Sequence, residues 1–285
     1  MISLVREKCV AVAIDQWYHR RQKDAEGDFY RKVAAQAPYF KDFNQTTQGL
    51  YLCDASGKLL AWTNHRSPER VKEMLRRGLD AFVPAEAPLL ENPRPDPDFN
   101  FRPPAGGLVV TVTSKVLEGY EPADDAVTRA FQESLGRDVL WVRKDEHEAL
   151  ARGEFPATLG RRIARYHLFD NTRGEPAPWP AEAVRAAEFF LRDGVLTGRV
   201  HLETPDGRLG YRADLRGRIE TAEGRVTRFD LVARGAAWGH SGCTEAAAPK
   251  DRFTLGIAFR LASGQDEADR VMPQGAKAWL PEYLR

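Results

Sequence analysis

The sequence predicts an α+β protein in two parts, and three observations carry that expectation. Prolines crowd into one stretch about a third of the way along the chain. Before it, apolar runs of strand length and helical spacing follow one another; after it, alternating strands are punctuated by Gly-containing turns. The 285 residues suffice for two domains. A chain of this size buries enough core to fold without disulfides or structural metals. The expected division is 1–83 as a compact α/β unit and 84–107 as connector. Residues 108–285 then form a larger domain on a curved antiparallel sheet or barrel with a helical insert.

In the first part, Cys9 to Ile14 is a continuous apolar run, expected as a central strand buried on both faces. Asp24 to Gln36 has helical spacing, with Phe29, Val33 and Ala34 on one stripe. Leu50 to Cys53 and Lys58 to Thr63 are strands joined by the turn Asp54-Ala-Ser-Gly57. Ser67-Pro68-Glu69 starts a helix, Ser67 as N-cap and Pro68 at its first position. Val71, Met74, Leu75, Leu79 and Phe82 supply its apolar face.

Pro84, Pro88, Pro93, Pro95, Pro97, Pro103 and Pro104 exclude helix and sheet interior and favour a stiff, extended connector. Phe99 and Phe101 within it suggest that part of the connector packs against a domain surface. Beyond it, Leu108–Leu117 and Val139–Val142 have strand character. Ala126–Leu135, Asp145–Ala151 and Thr158–Leu168 are helical. From Glu188 the chain predicts an antiparallel meander, with turns at Arg192-Asp-Gly194, Pro205-Asp-Gly207 and Ala222-Glu-Gly224. Leu209, Tyr211, Ala213, Leu215 and Ile219 alternate with Arg208, Arg212, Asp214, Arg216 and Arg218, the pattern of a half-buried strand. Phe253–Leu261 adds a later one.

Composition narrows the function classes. The 42 Lys+Arg are matched by 41 Asp+Glu, interleaved along most of the chain, so no global field steers it to nucleic acid or anionic lipid. No stretch approaches the length of a membrane span, and Arg6 and Glu7 interrupt what would be a signal peptide's apolar region. The three cysteines, Cys9, Cys53 and Cys243, are widely spaced with no CxxC, which points to a reducing, cytoplasmic setting. Partners are therefore expected among small molecules or metals, with no nucleic acid and no membrane.

Two stretches carry a family resemblance. Residues 12–33, VAIDQWYHRRQKDAEGDFYRKV, and residues 49–79, GLYLCDASGKLLAWTNHRSPERVKEMLRRGL, resemble the active-site strand, loop and helix and the closing hairpin and helix of the thioredoxin-like superfamily. The resemblance covers about the first 82 residues. Trp17 stands where that family commonly places a Trp before its CxxC, but Tyr18 and Arg21 occupy the cysteine positions. The expected cis-proline would fall near Thr47 or Gln48. Dithiol exchange needs an attacking and a resolving thiol, so the resemblance implies a fold without that activity. The loop residues Tyr18, His19, Arg20 and Arg21, beside a helix start, then become a candidate anion or partner site.

Other candidates lie beyond the connector. His147, His167 and His201, the last two residues from Glu203 and on the same strand face, could converge on copper, iron or zinc, with Asp170 or Glu203 in support. Arg173 and Trp179, in the turn-rich stretch after Asp170, are candidates for a pocket rim, Arg173 for binding a carboxylate or phosphate. Cys243 follows His240 in a Gly-rich loop, an arrangement open to single-cysteine redox chemistry. The leading expectation is a binding protein without redox turnover, its site in the sheet domain or at the domain interface. The alternatives are a metal-dependent oxidoreductase or hydrolase using the histidines, and single-cysteine redox chemistry at Cys243.

Overall fold

The computed structural model describes residues 1–38, 42–65, 67–86, 94–99, 101–242, 244–266, 269, 271–276 and 280–284. The chain divides into two compact units, Met1–Phe101 and Arg102–Arg285, so the division falls within the proline-rich stretch. Pro88 and Pro93 lie outside the described residues, as does Cys243.

The first unit comprises α1 (Ile2–Lys8), α2 (Gln16–His19), α3 (Ala25–Ala34), β1 (Leu50–Cys53), β2 (Leu59–Thr63) and α4 (Pro68–Asp80). Strands β1 and β2 form an antiparallel hairpin, with Tyr51 opposite Trp62 and Leu52 opposite Ala61. Strand alternation sends these pairs to opposite faces. Leu52 and Ala61 meet Val71, Met74 and Leu75 of α4 and Leu4 and Val5 of α1. Tyr51 and Trp62 turn toward Tyr30 of α3, at ring separations of 6.2 and 6.5 Å along the chain of three. The helix expected over 24–36 is capped by Asp24, whose carboxylate accepts from Gly27 N–H at 2.9 Å. On α4 the buried stripe is Val71, Met74, Leu75 and Gly78; Phe82 lies past the helix end and is exposed, so it leaves the expected apolar face. Ser67 caps no backbone N–H; its hydroxyl donates to Glu69 instead.

The expected central strand at Cys9–Ile14 does not form. The helix α1 precedes it, and residues 10–14 are unpaired and exposed, Val10 to 92% and Val12 to 73%. Residues 94–99 of the proline-rich stretch pack on this unit. The Asp96 carboxylate accepts from Lys23 N–H at 2.7 Å, and Asp96 N–H donates to Asp24 at 2.8 Å. Phe99 meets Trp17 and Tyr18, and Phe101 meets Tyr18.

The second unit is a seven-stranded antiparallel sheet in the order β4-β3-β9-β8-β7-β6-β5. Its strands are β3 (Leu108–Glu118), β4 (Gly136–Val142), β5 (Val184–Arg192), β6 (Val195–Glu203), β7 (Gly210–Ala222), β8 (Arg225–Trp238) and β9 (Phe253–Leu261). The β5–β6 and β7–β8 turns place Asp193 and Gly194, and Glu223 and Gly224, at φ between 52 and 75°. Two consecutive left-handed residues give the twist that a two-residue hairpin requires. Helices α5 (Ala126–Glu133), α6 (Lys144–Ala151) and α7 (Ala157–His167) follow β3 and β4, and a short α8 (Leu280–Tyr283) lies near the C-terminus.

Helix α7 touches both β4 and β5, the two outer strands of the sheet. A flat sheet of this width cannot present both edges to one helix, so the sheet curls around α7. No pairing joins β4 to β5 among the described residues, and the sheet is open rather than a closed barrel. Gly160 lets α7 approach β5, since a Cβ there would sit 2.9 Å from the Phe189 ring. Inside the curl, Phe229, Leu140, Leu159, Ile163, Leu196, Leu202 and Leu215 are fully buried. The concave face is thus filled by protein. The charged side chains that alternate with these core residues are left on the other face.

Candidate functional site

The strand register explains how that outer face is built. Side chains directly opposite on adjacent antiparallel strands share a face. One cross-strand row runs Glu188, Arg199, Asp214, Arg234 on β5, β6, β7 and β8, alternating in sign at every step. The next row runs Ala186, His201, Arg212, Ala236. Between these rows lies a groove of about 440 Å³, lined by Ala186, Arg199, His201, Arg212, Asp214 and Arg234 with backbone from Val200, Ala213 and Gly235. That volume falls within the range of small-molecule sites.

Four of those side chains are basic or imidazole and one is acidic, and their partners stand around them. Arg199 makes a two-pronged contact with Glu188, at 2.8 and 3.1 Å. Glu203 accepts from His201 Nε2 at 2.8 Å and from Arg212 at 3.0 Å. Because an ionised carboxylate only accepts, His201 carries its proton on Nε2. The hydrogen bond from His201, then that from Arg212, holds the Glu203 carboxyl below the usual range. Arg234 reaches Glu118 at 3.6 Å, while among the described residues Asp214 has no cation within 4 Å despite standing opposite two arginines. The sequence placed His201 and Glu203 on one face, and the same alternation puts Arg199 there. It also marked Arg212 and Asp214 as solvent-facing, but it missed Arg234, whose cue was the same alternation along β8.

The structure does not bring the three histidines together. His147 on α6 lies between Gly106 C=O, 3.0 Å from Nδ1, and Val226 N–H, which donates to Nε2 at 3.2 Å. His167 on α7 is buried between Asp138, 3.1 Å from Nδ1, and the Tyr283 hydroxyl, 2.9 Å from Nε2. The Asp138 carboxylate only accepts, so Nδ1 carries its proton toward it, and Nε2 of the neutral ring accepts from the Tyr283 hydroxyl, whose oxygen in turn accepts from Trp141 N–H at 3.1 Å. Among the described residues no group of three or more His, Cys, Asp or Glu is placed to hold a metal ion. Each histidine instead ties one element to another: α6 to β8, α7 to β4 and the C-terminal segment, and neighbouring groups on the outer face.

Beside His167 runs a second buried network that the sequence did not signal. Glu146 and Arg162 pair at 2.5 Å with side chains almost wholly excluded from solvent. Thr158 donates to Glu146 at 2.7 Å, and Arg162 Nε donates to Tyr283 C=O at 2.6 Å. Asp170, expected in support of a metal or ligand, and Arg173, expected at a pocket rim, form a buried pair at 2.7 Å, and Arg173 also donates to Thr244 C=O and the Tyr120 hydroxyl. Trp179 is locked to α7, its Nε1 donating to Leu168 C=O and its backbone exchanging contacts with Arg165. The cavity beside Asp170 and Trp179 is about 30 Å³, room for a water and no more.

In the first unit, Tyr18 is enclosed by Trp17, Phe99 and Phe101. Arg21 lies over the Trp17 ring at 4.4 Å and donates to Trp17 C=O. His19 Nδ1 lies 2.9 Å from Asp15 C=O, and Arg20 donates to Gln45 C=O. These side chains hold the loop itself.

No family model, curated protein or solved structure matches the chain. Among the described residues no helix is long and apolar enough to cross a membrane.

Proposed function

We propose that the protein binds a small anionic molecule, a carboxylate or phosphate, in the groove on the outer face of the seven-stranded sheet. One observation carries this reading: three guanidinium groups on three adjacent strands, with an imidazole, line a groove of about 440 Å³. Guanidinium groups present planar, paired donors that fit carboxylate and phosphate oxygens. The filled concave side supports the same assignment, since its described side chains around α7 are packed as core. Ion pairs to Glu188, Glu203 and Glu118 keep the arginines oriented when no ligand is bound.

For the first unit we infer a reduced thioredoxin-like body without redox turnover. Supporting it are the hairpin β1–β2 followed by α4, and Tyr18 and Arg21 at the positions where the family carries cysteines. Free Cys9 and Cys53 fit a reducing compartment such as the cytoplasm.

Calorimetric titration of the full chain with inorganic phosphate and with small dicarboxylates tests the binding reading. Saturable binding is expected for one class, weakened about tenfold to a hundredfold by Arg212→Ala or Arg199→Ala, as for loss of a charge-assisted hydrogen bond. Binding equally strong in both variants would place the ligand elsewhere.

A further inference from the structure

The groove on the outer face holds one acid among its bases, and that residue narrows the ligand. Asp214 is on β7, the middle strand, between Arg199 of β6 and Arg234 of β8 in the same cross-strand row. Its neighbours are drawn away from it. Arg199 is paired with Glu188 on β5, while Arg234 reaches Glu118 on β3, toward the opposite side of the sheet. Arg212, two residues back along β7, is paired with Glu203, as is His201. Of the charged side chains lining the groove, Asp214 alone has no ion-pair or hydrogen-bond partner among the described residues, and it is exposed.

Two features of a ligand follow. A simple anion laid across the row meets the Asp214 carboxylate, which repels it and has no proton to donate. An ammonium on the ligand satisfies Asp214 instead, supplying both the opposite charge and N–H donors. Arg199 and Arg234 stand two strands apart, about 10 Å at the usual strand spacing, and their ion pairs turn them further outward. One carboxylate therefore does not serve both. A molecule with two carboxylates and an ammonium between them matches the order of charges along the row.

We propose that the groove takes an acidic α-amino acid, with its ammonium on Asp214 and its two carboxylates on Arg199 and Arg234. Arg212 and His201, in the next row, bound the groove and add donors to it. The assignment rests on the reading of this groove as an anion site and adds to it the group that sets the choice among anions.

L-Aspartate and succinate are a matched pair, the same dicarboxylate with and without the amino group, and L-alanine keeps the amino group but lacks the second carboxylate. Calorimetric titration of the full chain with these three and with phosphate tests the proposal, in the unmodified protein and in Asp214→Asn. The variant keeps the side chain's shape at an exposed position, and unchanged thermal unfolding confirms its fold. L-Aspartate is expected to bind at least about tenfold more tightly than succinate or L-alanine, as for one added hydrogen bond to a charged group. Asp214→Asn should weaken L-aspartate about tenfold and leave succinate as tight or tighter, because a repelling charge has gone. Succinate binding as tightly as L-aspartate, or a preference for L-aspartate that survives Asp214→Asn, overturns the amino-acid assignment while anion binding stands. L-Alanine binding as tightly as L-aspartate overturns the role of the second carboxylate. Binding of phosphate alone also removes the amino acid and keeps the anion site, whereas no saturable binding of any of the four removes both.

Discussion

Glu203 is the residue whose chemistry is most directly set by its neighbours. It accepts from His201 and Arg212, and these contacts favour its ionised form. A carboxyl held low in the folded state contributes stability above its unfolded value, and that contribution is lost as pH falls through the lowered folded value. Because Glu203 faces solvent, the contribution is small. A direct measurement is the carbon-detected titration of the side chain. Glu203 should titrate below an ordinary Glu, and move back up in His201→Ala and, by less, in Arg212→Ala. An unshifted Glu203 in the unmodified protein would mean that the three side chains do not hold together in solution.

At the scale of elements, α7 and the C-terminal segment depend on buried polar contacts that are costly to leave half-made. Tyr283 accepts from Trp141 N–H and donates to His167, and its carbonyl receives Arg162. Tyr283→Phe strands two buried partners and is expected to cost about 1–3 kcal/mol in urea denaturation. Glu146→Ala leaves Arg162 buried without its carboxylate and is expected to cost about 3–5 kcal/mol, whereas replacing both by apolar residues costs far less. A double replacement that costs the sum of the two single ones would show that the pair does not act as a unit.

These contacts also show what the sequence could and could not convey. Strands β5 to β9 were legible because alternation and Asp-Gly or Glu-Gly turns are local signals, and α3, α4, α6 and α7 because their spacing or caps are local too. The polar side of β7 and the His201–Glu203 pair followed from the same period of two. By contrast, Asp138–His167–Tyr283 joins residues up to 145 positions apart, and nothing near His167 marks it as a buried tether rather than a metal ligand. Arg173 and Trp179 carry side chains suited to a pocket rim, yet tertiary packing makes them loop anchors. The Cys9–Ile14 run has the apolarity and length of a strand, but a strand needs a partner and among the described residues this one has none.

For the whole molecule, the curl of the sheet around α7 is what puts the proposed ligand on the convex face. It spends the concave face on core packing and leaves the convex face to alternating charge. In the row Glu188, Arg199, Asp214, Arg234 the Glu188–Arg199 pair stabilises the sheet modestly, by about 0.2–1 kcal/mol. The groove beside it concentrates donors for an anion. The most direct measurement is an NMR titration of the full chain with inorganic phosphate and with succinate, following the arginine Nε–H and backbone amides. The account predicts saturable shifts at Arg199, Arg212 and Arg234 and along the adjoining segments of β6, β7 and β8, with the first unit unmoved. Shifts that never saturate, or that centre on the first unit, would contradict it.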